Sequence, residues 1–260
     1  MTGPVLAADI GNSHTVLGLV TDGRVHDEWR VATDARRSAD EWLVLLRGLV
    51  GDHLAGICGI AVCSTVPAVL HEWRDLVTRH FGEVSHVIVE PGVRTGIPVR
   101  TDNPREVGAD RILNALAAAT DVGGPAIVVD FGGTATIVDV VDSRGQYVGG
   151  AIAPGIELSL EALGSRGAQL RRVELQRPRT VVARNTVEAL QSGIVFGVAS
   201  QVEGLVARMI SELDVPTEEV SVISTGHLAP VVVDECGCFT HHLPGLTLRG
   251  LELAFRRNAR

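Results

Sequence analysis

An α/β fold of two similar halves facing each other across a cleft is what this sequence predicts, and three observations predict it. An N-terminal stretch, AADIGNSHTVLGLV (Ala7 to Val20), recurs as VVDFGGTATIVDVV (Val128 to Val141). Setting Asp9 on Asp130, 121 residues later, also matches Gly11 with Gly132, Ser13 with Thr134 and Thr15 with Thr136, without a gap. Each copy reads as strand, tight polar turn, strand, and is followed by a second turn signal, TDGR or DSRG. Helical runs alternate with strand-like ones after both copies, which is the pattern of layered α/β halves.

In chain order, strands are expected near Val5–Ile10, Thr15–Val20, Val25–Ala32, Ile57–Cys63 and Val84–Glu90. SADEWLVLLRGLV opens with Ser38 three residues before Glu41, a capping-box spacing ahead of an apolar periodic run. A second helix follows Pro67 to about Phe81, since proline suits the first helical turn. A third is expected from Arg105 to Thr120, closed by glycines. The pattern then restarts with the strand Ala126–Asp130 and its hairpin partner. A long helix spans Thr186 to Leu213, the strand EVSVISTGH follows, and a last helix is expected near Leu251–Arg257. The restart lies between Asp102 and Gly124 and divides the chain into halves at 1–115 and 116–260.

Composition narrows the function. A net charge of −8 and 45% hydrophobic residues favour a core-forming globular chain. That charge argues against nucleic acid or an anionic membrane as main partner. No run approaches the roughly 18 apolar residues of a membrane span, and no signal peptide is evident, so a cytoplasmic location is expected. Cys58, Cys63, Cys236 and Cys238 form no disulfide framework, and the first pair reads as small core residues. CGCFTHH fits no common zinc spacing, and strand alternation would send His241 and His242 to opposite faces. There is no lysine: all 23 basic residues are arginine. P-loop, kinase-strand and Schiff-base lysine chemistry are thereby removed.

The repeated turns carry the chemistry. A turn rich in Gly, Ser and Thr presents backbone N–H groups and hydroxyls in one direction, which suits phosphate oxygens. An aspartate just before it can hold a cation against those phosphates. One copy alone would read as an ordinary hairpin; two gapless copies favour a nucleotide gripped by both. STGH (Ser224 to His227) offers a third tight turn, against adenine.

The motifs DIGNSHTVLG, STVP, GVRTGIPVRTDNPREVGADRILNALAA, VVDFGGTATIVDVV, YVGGAIAPGIELSLEAL and RNTVEALQSGIVFG, in that order, resemble type III pantothenate kinase. That family belongs to the acetate and sugar kinase, Hsp70 and actin superfamily. The resemblance implies two actin/ribonuclease H-like α/β halves with a nucleotide cleft between them. It implies ATP-dependent phosphorylation of pantothenate to 4'-phosphopantothenate, the first step of coenzyme A biosynthesis, with Mg2+ and a monovalent cation (K+ or NH4+). By motif position, Asp9, Ile10, Gly11, Asn12, Ser13, His14, Thr15 and Val16 would bind ATP in the first phosphate turn, with Gly133 and Thr134 in the second. Asp9 would also meet magnesium, through water or phosphate, and Asp130 the monovalent cation. Thr101, Gly108, Ala109, Asp110, Arg111 and Thr186 would contact pantothenate, Thr186 from across a dimer interface. Asp110 would be the base.

Residue chemistry agrees with those roles. A carboxylate can accept the hydroxyl proton during phosphoryl transfer, and the Arg111 guanidinium can pair with a substrate carboxylate. A homodimer is expected through the Thr186–Leu213 helix. Its stripe of Val187, Leu190, Ile194, Val195, Val198, Val202 and Leu205 is wide enough for more than one packing partner. Two other classes stay open: a weakly catalytic accessory protein, as the label Bvg accessory factor suggests, and a kinase for another pantothenate-like alcohol.

Overall fold

The computed structural model describes residues 3–166 and 173–259. The chain divides into two compact units. One comprises Met1–Pro98, Asp102–Ala117 and Gly245–Arg260; the other comprises Val99–Thr101 and Ala118–Pro244.

In the first unit, β1 (Val5–Ile10), β2 (His14–Thr21) and β3 (Arg24–Ala32) form an antiparallel meander. After α1 (Ala39–Val50), β4 (Gly59–Ser64) adds parallel to β1; after α2 (Pro67–His80), β5 (Ser85–Ile88) adds parallel to β4. The sheet order is β3-β2-β1-β4-β5. Alternation sends Leu6, Ala8 and Ile10 to one face, where they pack with Trp42 and Leu46 of α1 and Trp73 and Leu76 of α2. The capping box is present: Ser38 Oγ accepts from the Glu41 N–H while the Glu41 carboxylate accepts from the Ser38 N–H.

The second unit repeats the scheme. Helix α3 (Ala109–Asp121), which groups with the first unit up to Ala117, leads into β6 (Ala126–Phe131), β7 (Ala135–Val141) and β8 (Tyr147–Pro154), again an antiparallel meander. Then come α4 (Ile156–Arg166), α5 (Thr186–Leu213), β9 (Ser221–Thr225), α6 (Ala229–Val232) and β10 (His241–His242). The order β10-β9-β6-β7-β8 places β9 parallel to β6, as β4 lies parallel to β1. The repeat extends to detail: the register shifts between Leu19 and Val20 in one hairpin and between Val140 and Val141 in the other, the same two repeat positions.

The last helix, α7 (Leu246–Asn258), starts earlier than periodicity implied, directly after Gly245 in a left-handed conformation. Residues 245–260 also group with the first unit rather than with 116–260, because Leu248, Leu251 and Phe255 are buried against that unit's sheet. A buried carboxylate reinforces the docking: Glu252 accepts from Arg249, Arg256 and the Gly23 N–H of the β2–β3 turn. Residues 99–101 group with the second unit, where the Arg100 N–H donates to the Tyr147 carbonyl.

Two other expectations change. Helix α3 begins at Ala109, not Arg105, since Pro104–Glu106 forms a separate 3-10 turn. Helix α5 is, by length and hydropathy, the one described helix that could cross a bilayer, which the sequence reading did not foresee. Its Ile194, Val195, Val198 and Val202 are buried, and all but Val195 belong to the second unit's own core cluster. The stripe that suggested a dimer is therefore largely covered within one chain.

Candidate functional site

The first of the two repeated turns follows from strand geometry. β1 and β2 pair up to Ile10 and Thr15, and the Gly11 N–H donates to the His14 carbonyl at 3.0 Å, closing a tight loop over Asn12 and Ser13. The chain leaving β3 fastens this loop from the side. The Thr33 N–H donates to the Ser13 carbonyl at 3.0 Å, and Thr33 Oγ1 donates to the Gly11 carbonyl at 2.8 Å. With that hydrogen committed, Thr15 Oγ1, 2.9 Å away and buried, is the donor to Thr33 Oγ1. Thr65, just past β4, donates its N–H to the Ile10 carbonyl.

The second turn is built alike. The Gly132 N–H donates to the Ala135 carbonyl at 3.1 Å, the repeat of the Gly11–His14 bond. Gly155, leaving β8, donates its N–H to the Thr134 carbonyl at 2.9 Å, in the place Thr33 takes in the first unit. A side chain is barred there: a Cβ on Gly155 would lie 2.3 Å from the Gly133 carbonyl oxygen. The STGH turn closes over Asp130, with Gly226 at φ +89 and its Cα face against Asp130 Oδ1. Glu157 of α4 rests its carboxylate on Gly133, and His227 Nε2 lies 3.7 Å from Glu157 Oε1.

Asp110 stands in the first turn of α3, after Gly108. Its Oδ1 folds back over Gly108, where a Cβ would approach within 2.4 Å. That requirement explains the glycine in VGADR. Oδ1 is buried without a hydrogen-bond partner. Burial pushes the Asp110 carboxyl above its ordinary range, while the backbone N–H and the charge of Arg111 hold it partly down. Cys63 lies against Asp9, and the charge of Asp110 also reaches it. Its Sγ donates to Asp9 Oδ1 at 3.3 Å. Burial first, then the charges of Asp9 and Asp110, raise its thiol far above the usual value.

Asp9, Gly11–Thr15, Asp110 and Arg111 thus share the first unit, whose strands and helices group Asp9, Cys63 and Asp110. Asp130, Gly133 and Thr134 share the second. Thr101, also there, has a buried Oγ1 without a partner, and Thr186 is exposed at the first position of α5 after the Asn185 cap. Sequence reasoning missed Thr33, Glu157 and the donor role of Cys63; the hydroxyl at the exit of β3 was the only available signal. At the CGCFTHH segment, Cys236 bonds the Ala199 carbonyl, His241 pairs with Thr240, and His242 pairs with Ser224.

The model of the type III pantothenate kinase family matches residues 5–208. The chain belongs to that family. A type III pantothenate kinase of a Nocardioides strain is 73% identical over 98% of this chain and 100% of its own. One from Streptomyces griseus is 58% identical over 98% of each. Among solved structures, component A of Acidaminococcus fermentans (R)-2-hydroxyglutaryl-CoA dehydratase aligns at TM-score 0.53 over 99% of this chain and 98% of that one. At 13% identity it shows the shared fold alone. The two repeated five-stranded α/β units share their fold with solved structures titled as sugar-type kinases, among them a putative N-acetylmannosamine kinase from Listeria monocytogenes at TM-score 0.52 and 12% identity over 98% of this chain and 99% of that one. Kinase membership brings ATP and a divalent metal, and Asp9 suits the latter: carboxylate oxygen is the hard ligand that Mg2+ takes.

Thr33→Val keeps the N–H bond to Ser13 but removes both hydroxyl bonds, loosening the turn. The expected result is a KM for ATP raised by about tenfold, with Thr33→Ser near wild type, since a hydrogen bond contributes about 1 kcal/mol or more when its partners stay buried. Steady-state kinetics at saturating pantothenate check this.

Proposed function

We propose that this chain phosphorylates pantothenate with Asp110 as the base, at a site anchored by Asp9. As a member of the family it uses ATP and pantothenate and makes 4'-phosphopantothenate, the entry to coenzyme A. The observation that supports the assignment best is the placement of Asp9, Cys63 and Asp110 in one unit, with Cys63 bonded to Asp9. One carboxylate lies beside the phosphate turn; the other sits in a buried position that raises its proton affinity.

Asp9, Ile10, Gly11, Asn12, Ser13, His14, Thr15 and Val16 hold ATP phosphates, with Asp9 orienting Mg2+ through water or phosphate. Gly133 and Thr134 offer N–H and hydroxyl groups from the second turn. Asp130 takes K+ or NH4+, the charge that a lysine-free chain must find elsewhere. Arg111 pairs with the pantothenate carboxylate, Gly108 and Ala109 shape the acceptor pocket, and Thr101 and Thr186 contact the remaining length of the substrate. Phosphoryl transfer demands position and charge neutralisation above all. Asp110, ionised, accepts the hydroxyl proton; its raised affinity for protons brings it nearer the working pH. The expected location is the cytoplasm.

A coupled assay tests this. Wild type should consume ATP only with pantothenate, and more slowly in sodium than in potassium or ammonium. Asp110→Asn should keep the fold and lose turnover by about a hundredfold to ten-thousandfold. The acid limb of kcat/KM in wild type should fall as pH drops through the Asp110 value, above the ordinary carboxylate range. A wild type inactive on pantothenate would overturn the reading.

The chain is proposed to work as a homodimer. Val181, Val182 and Val187, within five residues of the Thr186 position, are 65%, 83% and 50% exposed, apolar side chains that a partner copy would cover. Light scattering at micromolar concentration should give twice the 27.5 kDa chain mass; a monomer would contradict it.

A further inference from the structure

Strands β1 and β4 are parallel, with Asp9 directly opposite Cys63. Register partners in neighbouring strands project from the same face of the sheet, so the thiol and the carboxylate meet at the carboxyl ends of both strands. Cys63 is 1% exposed, and its Sγ donates to Asp9 Oδ1 at 3.3 Å. Packing alone would be served there by alanine or valine. The internal repeat gives an independent indication that a donor is wanted. Asp130 lies opposite Thr225 across the parallel pair β6 and β9, and Thr225 is likewise buried. In each unit, the acid that precedes a phosphate turn therefore faces a small buried residue carrying one donatable hydrogen.

We propose that Cys63 is a positioning residue for Asp9: its S–H holds one carboxylate oxygen and so orients the group toward the Mg2+ that accompanies ATP. A neutral donor suits the place. A cationic side chain would compete with the metal for Asp9, and a second acid would repel it. The thiol hydrogen engages one lone-pair site of the carboxylate and fixes its rotation, which shortens the search for a productive metal geometry. A thiol buried beside a carboxylate has no role as nucleophile, so its contribution runs through the hydrogen bond to Asp9. This inference rests on the proposed role of Asp9 in ATP binding.

Cys63→Ala and Cys63→Ser in the full chain test it, read by calorimetric binding of Mg·ATP and by Mg2+ titration of turnover. Losing a hydrogen bond to a charged group should weaken Mg·ATP binding and raise the Mg2+ needed for half activation, each about tenfold, in the alanine variant. The KM for pantothenate should stay unchanged. Serine, which keeps a donor, should recover most of the loss, with melting temperatures of both variants close to wild type. Wild-type Mg·ATP binding in Cys63→Ala would overturn the proposal, as would equal impairment of the serine and alanine variants, which marks a packing role. Calorimetry decides the matter even if pantothenate proves not to be the acceptor, so failure of the kinase reading is distinguishable from failure of this one.

Discussion

The parallel pairing of β1 with β4, repeated as β6 with β9, is the constraint on which the rest of the structure depends. In each unit the acid-bearing strand is central, with an antiparallel hairpin on one side and a parallel strand on the other. The hairpin turn and the end of the parallel strand must then meet at the same edge of the sheet. That edge is where ligands collect in open α/β sheets, outside the carboxyl ends of the strands. Asp9 and Asp130 occupy it for this reason, and the segments leaving β3, β4, β8 and β9 all return hydrogen bonds to the turns there.

Such a turn has little stability of its own. A loop of four residues around glycine pays conformational entropy for each position it orders. Here the order is supplied from outside by Thr33, Thr65, Gly155 and Leu228, whose N–H groups bond carbonyls on or beside the turns. With those carbonyls engaged by the protein, the turn's conformation is set before any phosphate arrives. The same logic governs Asp110. Its place at the start of α3 favours the charged form through the helix dipole, burial opposes it, and burial prevails in direction. The result is a carboxylate with more affinity for a proton than one in water.

Much of this was legible in the sequence because it is local. The gapless match of Asp9 to Asp130 located both turns, and the Ser38–Glu41 spacing located α1 with its cap. What escaped depends on distance along the chain. Cys63 reads as core because only the β1–β4 register, 54 residues apart, brings it to Asp9. Thr33 gives no periodic signal, as it lies after a strand and before a cap. Helix α7 groups with the first unit, whose sheet covers it, while periodicity reports an apolar face and not the sheet that meets it. The α5 stripe shows the same limit: its spacing was read correctly, yet its covering partner is largely its own unit.

The proposed chemistry requires the first unit to aim one carboxylate at ATP and another at the acceptor. A crystal structure of the full chain with Mg2+, a non-hydrolysable ATP analogue and pantothenate measures this most directly. It should show phosphate oxygens on N–H groups between Gly11 and Thr15, and the pantothenate hydroxyl within about 3 Å of the Asp110 carboxylate, the reach of a general base. A hydroxyl placed against any other base, with Asp110 engaged by protein groups alone, would contradict it.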